Sequence, residues 1–388
     1  MGREDGRGAG KQKAKPRRRS HRPLRNLEND PMAPQTPLPT PEWDGEGWAI
    51  PPSLASRFHQ KSALGKIVSG GNLRLNAVEV MFCHWHRHLP LPSDNWVETQ
   101  LGENPHFIHE AVILEAIRDS GEKIVLNCNL FEQHNTKLVN GSWGMHWVRD
   151  KHPSRDQPAG QVRWARTNEK VDWNELCKWA IEVKKAGQIP EFLVIDGEFE
   201  VTTYEINLAQ PRGKLPIPSS LSSEDWKGIT ESLKSATPTN NGIFISKDNN
   251  WPLETIGIQQ MGGRWLYPEE VNLLKSITES KTPSNIGGLL HELLERGLLV
   301  RPGFKYGCRW RIYEEEMSGS HAPWLLSPIL EAAETWEGAC LASRLASAVH
   351  KTWICAIPNP ESANERQEKT AVKDEHVFLS LERMIFGK

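Results

Sequence analysis

The feature that most constrains the fold of this chain is that its second half repeats its first. Leu73-Arg-Leu-Asn-Ala-Val-Glu79 resembles Trp265-Leu-Tyr-Pro-Glu-Glu270, each a short strand entering a helix. Pro268 suits a first helical position, and the glutamates suit the positive end of the helix dipole. Phe107 to Gly121 resembles Ile286 to Gly297, each with helical periodicity and a glycine stop. In the second of these, Ile286, Leu289, Leu290, Leu293 and Leu294 form the apolar face. Trp143-Gly-Met-His-Trp-Val-Arg-Asp150 aligns with Tyr306-Gly-Cys-Arg-Trp-Arg-Ile-Tyr313, which sets Trp147 against Trp310 and Asp150 against Tyr313. Trp173 to Cys177 aligns with Trp336 to Cys340, and Phe192 to Asp196 with Trp353 to Ile357. Five landmarks in order predict two tandem copies of one unit. The first copy carries extra residues around 83–96 and 127–142, of loop-like composition.

The expected fold class is α/β in the α+β sense. Each copy has a small α/β N-terminal part and a C-terminal part with a mixed sheet and a packed helix. Residues 1–58 read as a basic tail and Pro-rich linker, 59–206 as the first copy, 207–240 as a linker with a helix near Ser223–Ser232, and 241–388 as the second copy. Gly242–Ser246 reads as an edge strand and Val377–Phe386 as a closing strand. Residues 359–371 are polar and read as an outward loop.

Charge is near balance over 388 residues, with 47 basic and 49 acidic side chains. The balance hides an asymmetry: residues 1–26 carry ten Lys and Arg against Glu4 and Asp5. Such a segment cannot fold alone, and its simplest use is attraction to phosphate. It has no apolar core, so it does not read as a secretory signal. No apolar run is long enough to span a membrane. Six cysteines without a CxxC pair predict reduced, buried thiols and a cytoplasmic protein. Cys83-His-Trp-His-Arg-His88 raises the question of zinc, but the segment reads as a helix start, and no second ligand cluster follows. No metal or cofactor is expected.

The chemistry is concentrated near the end of the second copy. Tyr313 ends a strand, His321 follows in a loop, and Lys351 follows a helix. Together such side chains can cleave RNA without a metal: one takes the 2′-hydroxyl proton, one protonates the leaving 5′-oxygen, and one holds the negative phosphorane.

Residues 264–358 resemble the catalytic domain of the tRNA-splicing endonucleases. The resemblance rests on Glu295-Arg-Gly-Leu-Leu-Val300, Gly303-Phe-Lys-Tyr-Gly-Cys-Arg-Trp-Arg-Ile-Tyr313, a loop closing on His321, and Arg344-Leu-Ala-Ser-Ala-Val-His-Lys351. It departs from the family where an acidic-aromatic step reads Arg309-Trp310, and where Ala-Pro follows His321. The resemblance implies Tyr313 as general base, His321 as general acid and Lys351 as transition-state stabiliser. It implies cleavage of bulged intron junctions in precursor tRNA, giving 2′,3′-cyclic phosphate and 5′-hydroxyl ends. Arg344 matches the arginine that stacks on a bulged base, with Arg383 preferred over Arg366 as the second. On a helix, Arg344 and Lys351 would share a side, with Leu341, Leu345 and Ala348 packed inward.

The first copy lacks the trio. Asp150 stands opposite Tyr313, residues near Gln157 opposite His321, and Gln188 opposite Lys351. The resemblance then implies the two-repeat archaeal type, a homodimer acting as a pseudo-tetramer. In that type an acidic hairpin of the non-catalytic unit, here Asp196, Glu198 and Glu200, docks in a basic cleft of the opposite chain. Two other classes compete. A structural or RNA-binding subunit of a hetero-oligomer would not need the trio. A metal-dependent nuclease would need clustered carboxylates, and only Glu314-Glu-Glu316 lies nearby.

Overall fold

A computed structural model describes residues 24–130, 137–246, 251–317, 321–360 and 375–386. The basic residues 1–23, Arg366, and most of the polar stretch after Pro358 lie outside them.

Each half begins with a four-stranded sheet. The first holds β1 (Glu42–Trp43), β2 (Trp48–Ile50), β3 (Lys66–Ile67) and β4 (Leu73–Leu75) in the order β1-β2-β4-β3. Residues 42–50, which read as linker, are therefore strands of this sheet. Helices α1 (Ala77–Arg87), α2 (Trp96–Glu103) and α3 (Phe107–Arg118) follow. The supposed insertion at 83–96 is the end of α1 and the loop of residues 88–95 leading into α2, and Cys83–His88 ends α1 rather than starting it.

Next come β5 (Lys123–Leu126), β6 (Gly144–Trp147), β7 (Gly160–Arg166), α4 (Trp173–Lys185), β8 (Ile189–Ile195) and β9 (Val201–Ala209). The second half opens with α5 (Ser223–Ser235), β10 (Thr237–Thr239), β11 (Gly242–Ser246), β12 (Ile258–Gln260) and β13 (Gly263–Leu266). Its sheet order is β10-β11-β13-β12, so β11 is an inner strand and not the expected edge. Then come α6 (Pro268–Thr278), α7 (Asn285–Glu295), β14 (Leu299–Pro302), β15 (Trp310–Tyr313), β16 (Trp324–Pro328), α8 (Trp336–Ala348), β17 (Thr352–Pro358) and β18 (His376–Met384).

The helix starts share one local device. Glu79 accepts from the backbone N–H of Gly65 (2.8 Å) and of Asn76 (3.1 Å). Glu270 does the same for Gly257 (2.9 Å) and Tyr267 (2.9 Å). Both glycines have positive φ, 63° and 79°, which frees them to turn their N–H groups inward. Each glutamate is buried and raised above its ordinary pKa by that burial, with the donated hydrogen bonds opposing the rise.

A single ten-stranded sheet, β14-β15-β16-β17-β18-β9-β8-β7-β6-β5, joins the halves. Its outer fives have the same pattern: two antiparallel pairings, one parallel, one antiparallel. The parallel steps require crossovers, supplied by α4 and α8. The strand read as closing, β18, is central: it pairs with β9, and Ile206 faces Leu381. The register is symmetric about that pair, with Glu205 facing Glu382 and Asn207 facing Ser380. Aromatic contacts also cross between the halves. Trp173 packs on Trp353 (5.5 Å between ring centres), and Trp336 stacks on Phe192 (3.7 Å).

The register corrects two of the sequence matches. Both β5 and β14 begin two residues after a positive-φ glycine, Gly121 and Gly297. Lys123 faces Trp147 where Leu299 faces Tyr313. Trp147 therefore holds the place of Tyr313, Gly144 holds that of Trp310, and Asp150 lies past the strand end. Likewise the α4 and α8 offset of 163 residues carries through, so Phe192 corresponds to Cys355 rather than Trp353. Among the described residues, no helix is long and apolar enough to cross a membrane.

Candidate active site

The strand register brings distant residues into one row. Ile312 of β15 faces Trp324 of β16, and Trp324 faces Thr352 of β17. One step further lie Tyr313, Pro323 and Lys351, and the Thr352 N–H donates to the Pro323 carbonyl at 2.9 Å. Ile354 pairs with Ser380 antiparallel, which extends the row to Arg383, and Arg383 faces Tyr204 of β9. Strands stand about 4.8 Å apart, so Tyr313 and Lys351 are roughly 10 Å apart through the backbone. Alternation sets the face. Ile312 and Ile354 join the core under α6 and α7, whereas Leu325, Trp353 and Leu381 join the core under α8. Tyr313, Lys351 and Arg383 belong to the α8 face.

Residues 321–322 tie the catalytic candidates together. Lys351 Nζ donates to the Ala322 carbonyl at 2.6 Å and sits 5.6 Å from the Tyr306 ring centre. The Ala322 side chain is buried against Tyr313, Leu299 and Leu215. His321, one residue earlier, is exposed. One short segment thus touches Tyr313 and Lys351 and presents the histidine to solvent. The Arg311 guanidinium lies 5.8 Å from the Tyr313 ring centre. Sequence reading missed Arg311, although its spacing two before Tyr313 puts both on one face.

Beside this row is a cleft of about 1080 Å³, lined by Arg344, Lys351, Arg383 and Tyr204 and bounded elsewhere by Glu198 and Glu200. Burial pushes the Tyr204 hydroxyl well above its ordinary pKa, against the pull of Arg383 and Arg344. Helix α8 is rotated from expectation. Leu341 and Leu345 are 42% and 55% exposed, and Ala348 is exposed as well. Trp336, Ala339, Ser343 and Ala346 face inward instead, and the Ser343 hydroxyl donates to the Leu381 carbonyl at 2.6 Å. Small residues on the inner face let the helix lie close to the sheet.

The acidic hairpin joins β8 to β9. Asp196 spends one oxygen inside the turn, accepting from the N–H groups of Glu198 and Glu200 at 2.9 Å each. Phe199 has a φ of 60°, and its ring lies 5.2 Å from that of His109. Glu198 and Glu200 are exposed.

In the first half the equivalent row holds Trp147, Ala159 and Gln188, one step beyond His146, Gly160 and Ile189. Trp147 donates its indole N–H to the Asp156 carbonyl, and Gln188 accepts from Gln161. Trp147, Ala159 and Gln188 supply no acid, base or cation at the places of Tyr313, Pro323 and Lys351, although Lys123 faces Trp147 from β5. The histidines of Cys83–His88 have separate partners: His84 meets the Leu89 carbonyl, His86 meets Glu115, and His88 meets Asp30.

The family model for the tRNA intron endonuclease catalytic C-terminal domain matches residues 289–365. That stretch contains Tyr313, His321, Arg344 and Lys351. The tRNA-splicing endonuclease of Methanopyrus kandleri is 29% identical over 157 residues, 38% of this chain and 83% of that protein. That of Thermoplasma volcanium is 39% identical over 92 residues, 24% of this chain and 30% of that protein. That of Picrophilus torridus is 28% identical over 163 residues, 42% of this chain and 49% of that protein. The matches thus span most of the first relative and half or less of the other two. The matched stretch carries β15, the 321–322 loop, α8 and β17, and this part of the chain matches the tRNA intron endonuclease catalytic domain.

Proposed function

We propose that this protein is an endoribonuclease that excises introns from precursor tRNA by cleaving at bulged junctions. The observation that carries this reading is the row joining Tyr313, the 321–322 segment and Lys351 on one sheet face. Tyr313 takes the proton of the 2′-hydroxyl, and the 2′-oxygen attacks phosphorus. The P–O5′ bond breaks as His321 gives its proton to the 5′-oxygen. Lys351 sits where its charge can offset the negative phosphorane. The products are a 2′,3′-cyclic phosphate and a 5′-hydroxyl. No step uses a metal or cofactor. Arg344 and Arg383 line the neighbouring cleft, suited to gripping a base splayed from a bulge by cation–π contact.

The common strand order, the central Ile206–Leu381 pair and the matching Glu79 and Glu270 contacts support a reading as two copies of one unit, the first structural and the second catalytic. Two chains would then form a homodimer, with the Asp196–Glu200 hairpin of each docked on the catalytic half of the other. The test is incubation of the pure chain with a bulge-containing precursor tRNA in EDTA, followed by end-group analysis. Cyclic phosphate and 5′-hydroxyl ends at both junctions are expected. Intact RNA, or 5′-phosphate ends, would sink the reading.

A further inference from the structure

The segment that joins the two halves lies against the strand that carries Tyr313. Residues 213–215 bond to both flanks of the β14–β15 pair. The Gly213 N–H donates to the Arg296 carbonyl (2.9 Å), and the Leu215 N–H donates to that of Gly297 (3.1 Å). Between them the Lys214 N–H donates to the carbonyl of Glu314 (3.1 Å), the residue after Tyr313. Backbone meets backbone here. A Cβ on Gly213 would stand 2.0 Å from the Gly297 oxygen, and one on Gly297 would stand 2.8 Å from the Gly213 oxygen. Further on, Ser219 donates its N–H and hydroxyl to Glu295 at 2.8 and 2.6 Å, which fixes the segment to the end of α7. Held in this way, Leu215 packs against Tyr313, Leu299 and Ala322. The place of the tyrosine ring depends on these three neighbours, and one of them belongs to the joining segment.

The first half closes the same place with its own residues. Gly121 stands where Gly297 stands, and a Cβ there would meet the Arg149 side chain at 3.1 Å. Trp147, at the register place of Tyr313, packs with Ala63, Val125 and Met145 and donates its indole N–H to the Asp156 carbonyl. In the second half the residue beside the glycine and the wall beside the aromatic ring both come from the joining segment instead.

We infer that Leu215 is a positioning residue for the reaction: the segment joining the halves is a strap that holds the Tyr313 ring where its hydroxyl can take the 2′-hydroxyl proton. This inference rests on the general-base assignment above. The exposed Lys214–Glu315 ion pair (3.1 Å) adds little to the hold, because both side chains are largely in solvent. The three backbone hydrogen bonds and the Leu215 contact carry it. A reacting group displaced by about 1 Å can lose about two orders of magnitude in rate, so a wall on one side of the ring is enough to matter. The connection between the halves is thereby part of the catalytic geometry and not only a tether.

The experiment compares Leu215→Ala, Leu215→Met and Gly213→Ala in the full chain, each alone and combined with Tyr313→Phe, on a bulge-containing precursor tRNA. Single-turnover rates at saturating RNA, RNA affinity and melting curves are measured, the rates well below every melting midpoint. Leu215→Ala should slow cleavage by about 10–100-fold, with affinity within about threefold of wild type. Leu215→Met refills the wall and should recover most of the rate. Gly213→Ala, whose Cβ lifts the strap from Gly297, should match Leu215→Ala. On the Tyr313→Phe background either change should cost no more than about threefold, because no hydroxyl is left to place. A wild-type rate for Leu215→Ala would overturn the inference. So would losses that multiply with Tyr313→Phe, which would make the segment a general support of the fold, and so would weakened RNA binding with the saturated rate intact. Tyr313→Phe at the wild-type rate removes the general-base reading, and the strap's role with it. A wild-type rate for Leu215→Ala beside a slow Tyr313→Phe removes only the strap.

Discussion

Tyr313 and Lys351 stand in one row of the central sheet, two strands apart and on one face, although 38 positions separate them in sequence. The segment between them both packs on the tyrosine ring and accepts the lysine's hydrogen bond, so moving either residue disturbs the other.

Tyr313→Phe deletes one oxygen and keeps a buried ring in place. Cleavage should slow by about 10²–10⁴-fold, the range for a lost general base, while thermal stability changes little. Single-turnover kinetics with a melting curve checks both. A wild-type rate would make the tyrosine purely structural.

Lys351→Met keeps the aliphatic stem and removes the charge. The rate should fall by about 10²–10³-fold, with RNA binding retained, as expected of a group acting in the transition state. Binding lost in parallel with rate would make the lysine a general phosphate anchor instead.

His146 should make stability pH-dependent. Its imidazole is buried, which disfavours charge, but its hydrogen bonds to the Glu122 and Glu191 carboxylates (2.9 Å each) outweigh this and raise its pKa to about 9. The folded value lies above the ordinary 6.5. The stabilisation is therefore fully present below about pH 6.5 and disappears as pH rises through about 9. Denaturant midpoints should fall between about pH 7 and 10, and His146→Leu should flatten that slope. An unchanged slope in the variant would show the carboxylates to be its source.

Reversing Asp196, Glu198 and Glu200 to lysine should yield monomers with little activity. Several carboxylates entering one basic cleft act together, although single exposed pairs are weak. Sedimentation decides, and an unchanged dimer would remove the docking role.

Leu381→Ala should cost about 2–5 kcal/mol, the range for a buried leucine, because Leu381 faces Ile206 where the two halves meet. Unfolding should remain a single transition at a lower midpoint. Early loss of one half alone would show that the sheet does not couple them.

Local patterns in the chain determined much of this protein. Pro268 and Glu270 mark the start of α6, Gly297 ends the turn after α7, and the order of Tyr313, His321 and Lys351 was legible before any fold was known. These signals act over a few residues, where propensity and capping suffice. Only the tertiary structure decided which strand positions face each other. A one-residue slip turns every side chain to the opposite face, and nothing in either segment alone specifies its partner's register. That is why Trp147 stands where Tyr313 stands in the other half, although composition pairs it with Trp310. It is also why α8 turns Ala339, Ser343 and Ala346 to the sheet and leaves Leu341 and Leu345 outside: close approach to the strands required small residues, and an amphipathic count rewards large ones. Arg311 became visible only in the fold, which sets its guanidinium 5.8 Å from the Tyr313 ring centre.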